Sequence, residues 1–223
     1  LKRVASTIQY SIAQQNNHAV SEAAGLFVGG SWLAHINYPE GKKYYEAGLN
    51  LLERSARDLI ESDGSFSQHS VTYHRLVTNI YSVVEYWRRL LDLPTFNLSL
   101  YERLRAASLW LYHMTQSKTG FAPNLGGNDG SLLFDFTGTD YRDMRPSVQL
   151  ACAMFCNSLA YSDEGPWNTS LDWLNQELPT TKIATTKPMF FPDGGYALLI
   201  DSNITVLFNI PKFKFRPSHA DAL

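Results

Sequence analysis

The sequence predicts a mainly helical chain of stacked helical hairpins that gives way to antiparallel β-structure near residue 185. Three observations carry this expectation. Apolar residues recur at helical spacing in most segments up to about Tyr161, short turns join those segments, and two short apolar strands follow a polar stretch at Thr180–Pro188.

Residues 2 to 14 and 17 to 29 read as the first two helices. The third, 41 to 61, carries Tyr44, Tyr45, Leu49, Leu52, Ala56, Leu59 and Ile60 on one face, and the fourth runs from 70 to 91. Asp63-Gly64 closes the third, Pro94 follows the fourth, and Asn97-Leu98-Ser99 starts a fifth that extends to about Gln116. From 117 to 144 the chemistry is that of a long loop, with Gly120, Pro123, Asn124 and Gly126-Gly127-Asn128-Asp129-Gly130. Arg145-Pro146 opens a helix to about Tyr161, because proline is favoured in a first turn, and Gly165-Pro166-Trp167 starts a shorter one. Gly195–Ile200 and Ile204–Asn209 then read as a β-hairpin. The division expected is a helical portion over 1–180 and a linker with the first strands over 181–223.

Composition narrows the function. With 44% hydrophobic and 18% charged residues the 223-residue chain is apolar enough to bury a core. Nineteen Lys and Arg against twenty-one Asp and Glu give a net charge of -2, so no overall basic field points to nucleic acid, and a polyanion would need a local basic site. No stretch approaches the roughly 20 apolar residues of a membrane span. Cys152 and Cys156 lie four apart in an apolar helical run and read as core thiols rather than a disulfide. Leu1-Lys2-Arg3-Val4-Ala5-Ser6 lacks an initiator Met and an apolar signal core, and Pro217–Leu223 stops after strand-like segments without partners, so a chain incomplete at both ends is expected.

Two helix starts concentrate chemistry. Asn17, His18 and Glu22 stand at the beginning of the second helix, where His18 and Glu22, four apart, share a face and the carboxylate can orient the imidazole. The plain alternative is that Asn16 or Asn17 caps the helix and His18 lies on its surface. Gln68, His69, Tyr73 and His74 cluster at the entry to the fourth helix, where a tyrosine can serve in proton transfer or simply pack. In the long loop, Asn124, Asn128 and Asp129 with Arg142 and Arg145 can present amides, a carboxylate and guanidinium groups to a sugar acid. Equally, Asp140, Arg142, Asp143 and Arg145 can pair among themselves to hold the loop. Most of the five tryptophans fall within helical periodicity and read as core, although each offers a sugar-stacking face.

Several motifs, taken in order, resemble the heparinase II/III family. They are Asn16-Asn17-His18 with Glu22, Ala23 and Gly25; Asp63-Gly64 with Phe66, Gln68 and Tyr73-His74; Asn128-Asp129-Gly130; Asp140-Tyr141-Arg142-Asp143 with Arg145-Pro146; and Arg216-Pro217-Ser218-His219 with Asp221. The resemblance implies an incomplete α/α toroid of stacked helical hairpins followed by the first strands of an antiparallel β-sandwich, with the active site in the cleft between them. It implies a polysaccharide lyase that cuts beside a uronic acid by β-elimination, with an acidic polysaccharide as partner. Tyr73 matches the family's proton-transferring tyrosine, while Asn17 and His18 fall where the charge of the intermediate is stabilised. Glu22, Gln68, His74, Asn128, Arg142 and Arg145 fall on the substrate side. His219 falls where a sandwich motif supplies a catalytic or metal-binding histidine, so the one cofactor left open is a zinc in the missing part of the β-sandwich. The Asn-Asn-His and Arg-Pro-Ser-His patterns stand closer to the branch linked with polysaccharide assembly. Without a Lys/Arg cluster, an alginate-like or other uronic-acid polymer suits the chain at least as well as highly sulfated heparin. A bacterial, periplasmic or secreted protein is expected, as is an inactive chain over 1–223 alone, the cleft needing its second wall. The other class of function is a non-catalytic toroid that binds glycan or takes part in polysaccharide assembly.

Overall fold

A computed structural model describes residues 1–184, 189–200 and 205–210. The chain folds into α1 (Lys2–Gln14), α2 (Asn17–His35), α3 (Gly41–Leu59), α4 (Val71–Leu90), α5 (Leu98–Met114), α6 (Arg145–Cys156) and the short α7 (Thr169–Trp173). Three strands follow: β1 (Met189–Phe191), β2 (Tyr196–Ile200) and β3 (Thr205–Asn209). The mainly helical class, the helix order and the β2–β3 hairpin agree with the sequence reading. β1 was not anticipated, because three residues are too few to show a period.

Side-chain caps set three of the helix starts, those of α2, α4 and α5. Asn16 accepts from the His18 amide at 2.9 Å, Ser70 from Tyr73 at 3.2 Å and Asn97 from Leu100 at 2.9 Å, each satisfying an amide that the first turn leaves open. Two helix ends differ from expectation. α2 runs through Gly29-Gly30 to His35, where the sequence suggested an end at 29. Gly30 is a packing position rather than a breaker. A Cβ on Gly30 would lie 2.2 Å from the Tyr45 nitrogen, and one on Gly48 of α3 would lie 2.3 Å from the Phe27 nitrogen, so α2 and α3 touch backbone to backbone. α6, expected to reach Tyr161, ends at Cys156 because Asn157 turns left-handed (φ 49) and returns its amide to the Cys152 carbonyl. Gln149 then gathers the following loop, accepting from the Ala160 and Tyr161 amides at 3.0 Å each and donating to the Tyr161 carbonyl at 3.0 Å.

One core joins α2, α3, α4 and α5 through Phe27, Leu52, Ala56, Val77, Tyr81 and Leu104. A second joins α5, α6 and the sheet: Trp110, Leu111, Met114 and Val148 meet Phe191, Tyr196 and Leu198. The sheet is antiparallel in the order β1-β2-β3, with Phe190 opposite Ala197, Ala197 opposite Phe208 and Leu199 opposite Val206. Alternation sends Tyr196 and Leu198 inward and Leu199 outward, leaving an outer face on which Phe190 and Phe208 are 73% and 51% exposed. Asp63 ties the turn before β2 to the helices, accepting from the Asp193 and Gly194 amides at 2.8 and 3.0 Å. Cys152 and Cys156 are both free thiols. Among the described residues no helix is long and apolar enough to cross a membrane.

Candidate functional site

The N-terminal ends of α2 and α4 meet. The link is Gln68, just before α4, whose buried side-chain oxygen accepts from the Asn17 amide, the first of α2, at 2.8 Å. Both ends carry the positive end of a helix dipole, an environment that favours negative charge. Asn17 is nearly buried there, His18 beside it is exposed, and Glu22 accepts from Ser11 of α1 at 2.7 Å. Glu22 thus fastens α1 to α2 in place of the imidazole-orienting role its spacing suggested.

The long loop lies along the start of α4. The Val71 amide donates to the Leu125 carbonyl at 3.1 Å and the Ser70 hydroxyl to the Gly127 carbonyl at 2.6 Å. This contact delivers Asp129 to Tyr73, whose hydroxyl donates to Asp129 Oδ2 at 2.9 Å. Burial, then the hydrogen bond and charge of Asp129, push the Tyr73 phenol up to about 12, so at neutral pH it is a proton donor. Asp129 is held low, chiefly by its hydrogen bonds from Ser131.

His74 sits differently from its sequence neighbour. It is 2% exposed, stacks on Trp110 with ring centroids 4.3 Å apart and shares a 2.9 Å hydrogen bond with the Ala107 carbonyl through Nε2. Burial drops its imidazole to about 4, so it is a neutral core residue with no face open to a ligand. His69, in the left-handed region (φ 52), shares a 2.7 Å hydrogen bond through Nδ1 with the Tyr196 hydroxyl of β2 and so couples the entry of α4 to the sheet.

Asn128 and Arg142 line one open groove of about 290 Å³ with Phe121, Asn124 and Tyr141. Asn128 accepts from the Tyr141 hydroxyl at 2.7 Å. Arg142 pairs with Asp140 at 2.9 Å and lies over the Phe121 ring, while Arg145 pairs with Asp143 at 2.7 Å and lies over Trp167. The self-pairing alternative therefore describes both arginines. His219 lies outside the described residues, and among the described residues no group of three or more His, Cys, Asp or Glu side chains is placed to hold a metal.

Sequence reasoning passed over Arg75. Although 1% exposed, it carries a charge, donates to the Tyr141 carbonyl at 2.6 Å and the Ser131 carbonyl at 3.0 Å, and stacks on the Tyr141 ring at 4.4 Å. It is the internal post around which the loop is wound. Its only sequence signal was an arginine between the apolar positions Val71 and Val77, which ordinarily means a solvated face. No protein-family model, curated protein or solved structure matches the chain.

Proposed function

We propose that this chain is the helical part of a polysaccharide lyase that cleaves a uronic-acid-containing polymer by β-elimination, an α/α toroid working against an antiparallel β-sandwich. The observation that carries the proposal is the protonated Tyr73 phenol, hydrogen-bonded to a carboxylate beside the joined N-termini of α2 and α4. β-Elimination removes the weakly acidic proton at C5, places charge on the neighbouring carboxylate and protonates the leaving O4. It therefore needs a stabiliser of negative charge and a proton-transferring group within reach of C5 and O4. In this reading Asn17 and the helix ends supply the first, with His18 beside them, and Tyr73 supplies the second. Asn128 and Tyr141 line the groove that would carry adjoining sugar units. The sandwich part draws support from the sheet itself, which is apolar on both faces, as a sheet covered by a second sheet is.

A second reading, glycan binding without chemistry in polysaccharide assembly, is favoured by the open groove whose lining includes Phe121, Asn124, Asn128 and Tyr141, rings and amides that can hold a sugar. One experiment separates the two. The full-length protein is incubated with a panel of acidic polysaccharides while the absorbance of unsaturated uronate is followed. A rising signal that falls about 100-fold or more in Tyr73→Phe supports the lyase. Retention on a polysaccharide gel with no product on any uronate polymer selects the binding protein.

A further inference from the structure

We propose that Asp129 is the proton-holding partner of Tyr73, so that the two act as a tyrosine–carboxylate relay that never requires a free phenolate. The inference rests on the elimination reading above and adds to it a residue and a route for the proton.

The geometry is that of an aimed group. Oδ2 of Asp129 accepts the Tyr73 hydroxyl at 2.9 Å, while Oδ1 accepts from the Ser131 amide at 3.0 Å and the Ser131 hydroxyl at 2.5 Å. Both carboxylate oxygens are thus engaged, which fixes the plane of the group although it lies on an exposed loop. The loop is anchored from below, because Arg75 holds the Ser131 carbonyl at 3.0 Å and the Tyr141 carbonyl at 2.6 Å. Asn128, next in sequence to Asp129, is held in turn by the Tyr141 hydroxyl at 2.7 Å. Arg75 is thus a buried cation that fixes the backbone at Ser131, two residues on from Asp129.

A lone phenol in this place is a poor base. The charged and titratable groups that bear on it are Asp129 and Tyr141, and both disfavour the phenolate. In the relay the ionised Asp129 carboxylate takes the phenol's proton, so the C5 proton reaches the tyrosine oxygen without a phenolate forming first. As the C5–H bond breaks, its electron pair becomes the C4=C5 double bond and the C4–O4 pair leaves on O4. The C5 proton passes to the Tyr73 oxygen while the phenol's own proton moves to Asp129 Oδ2. Tyr73 then gives a proton to O4 and recovers one from Asp129, which ends as the carboxylate it began as. The net transfer is one proton from C5 to O4, with both side chains restored. Asp129 does not touch the sugar in this scheme and is a positioning residue acting through Tyr73.

The test is Asp129→Asn, which keeps the size of the side chain and removes the charge, with two readouts. In the first, tyrosinate absorbance is titrated and Tyr73 is isolated by subtracting the Tyr73→Phe variant. Its midpoint moves down toward the ordinary tyrosine value when Asp129 is replaced, and an unchanged midpoint overturns the pairing whatever the activity. In the second, elimination by the full-length protein loses about 100-fold in kcat with KM little changed, as loss of a proton-transfer partner predicts. Product formation at the unmodified rate in Asp129→Asn overturns the relay and leaves the lyase reading standing. Absence of product from the unmodified protein on every uronate polymer removes the lyase reading and the relay with it.

Discussion

The α2–α3 hairpin and the 117–144 loop both pack against α4, and they are held by opposite means. In the hairpin, glycines at 30 and 48 let two helix backbones touch, and Phe27, Leu52 and Ala56 close an apolar core in which almost any added atom collides. In the loop there is little apolar burial. Its course is set by a few polar ties: Val71 and Ser70 to Leu125 and Gly127, Arg75 to Ser131 and Tyr141, and the ion pairs Asp140–Arg142 and Asp143–Arg145. The first arrangement is stiff and intolerant, while the second leaves backbone and side-chain groups open to solvent. The candidate chemistry lies on the seam, with Tyr73 of α4 meeting Asp129 of the adaptable loop.

The largest expected effect is on the stiff side. Gly48→Ala puts a methyl 2.3 Å from the Phe27 nitrogen and 2.8 Å from the Ala23 carbonyl oxygen, so α2 and α3 must part. A loss of about 3 kcal/mol is expected by chemical denaturation, even after the better helix propensity of alanine. Unchanged stability would mean that the hairpin is not packed backbone to backbone.

Acid probes α4, against which both regions pack, through His74. Its folded pKa of about 4 lies below its ordinary 6.5, so the unfolded chain takes up the proton first and stability falls as pH drops. The loss begins near pH 6.5, is complete near pH 4 and amounts to about 3 kcal/mol from this residue. His113, also lowered to about 4, adds in the same direction. His74→Phe keeps a ring against Trp110 and flattens the acid limb of a stability-versus-pH curve; an unaltered limb in that variant rules out His74 as its cause.

Arg75→Met tests the adaptable side. Removing its two hydrogen bonds to carbonyls is expected to cost about 2 kcal/mol. The sharper signature is local: amide exchange across 117–144 speeds up while the α2–α3 amides stay protected relative to the global transition. Uniform acceleration in both regions would erase the distinction between them.

How much of this was legible in the sequence varies with the kind of signal. Tyr44, Leu52, Ala56 and Leu59 repeat at helical spacing, and α3 follows from them directly. Asn16 and Asn97 announce helix starts because a cap acts within three residues. The pairing of Arg142 with Asp140 and of Arg145 with Asp143 was likewise one of two local readings. The expected end of α2 at 29 misled, since a glycine such as Gly30 that admits a neighbouring helix shows this only once the neighbour is in place. His74 misled for the same reason: its place beside Tyr73 suggested the site, and the turn of α4 sent it against Trp110 instead.

The sequence by itself determined the helical periods, their caps, the polar character of the loop and the switch to strands, all properties of residues a few positions apart. Only the tertiary structure decided that Gln68 reaches Asn17, 51 residues away, that Asp129 reaches Tyr73, 56 residues away, and that Arg75 is buried to hold the loop. Such contacts are fixed by how helices stack and where a loop is tied down. They leave no period in the chain, because each depends on a single pair of residues brought together by the packing of everything between them.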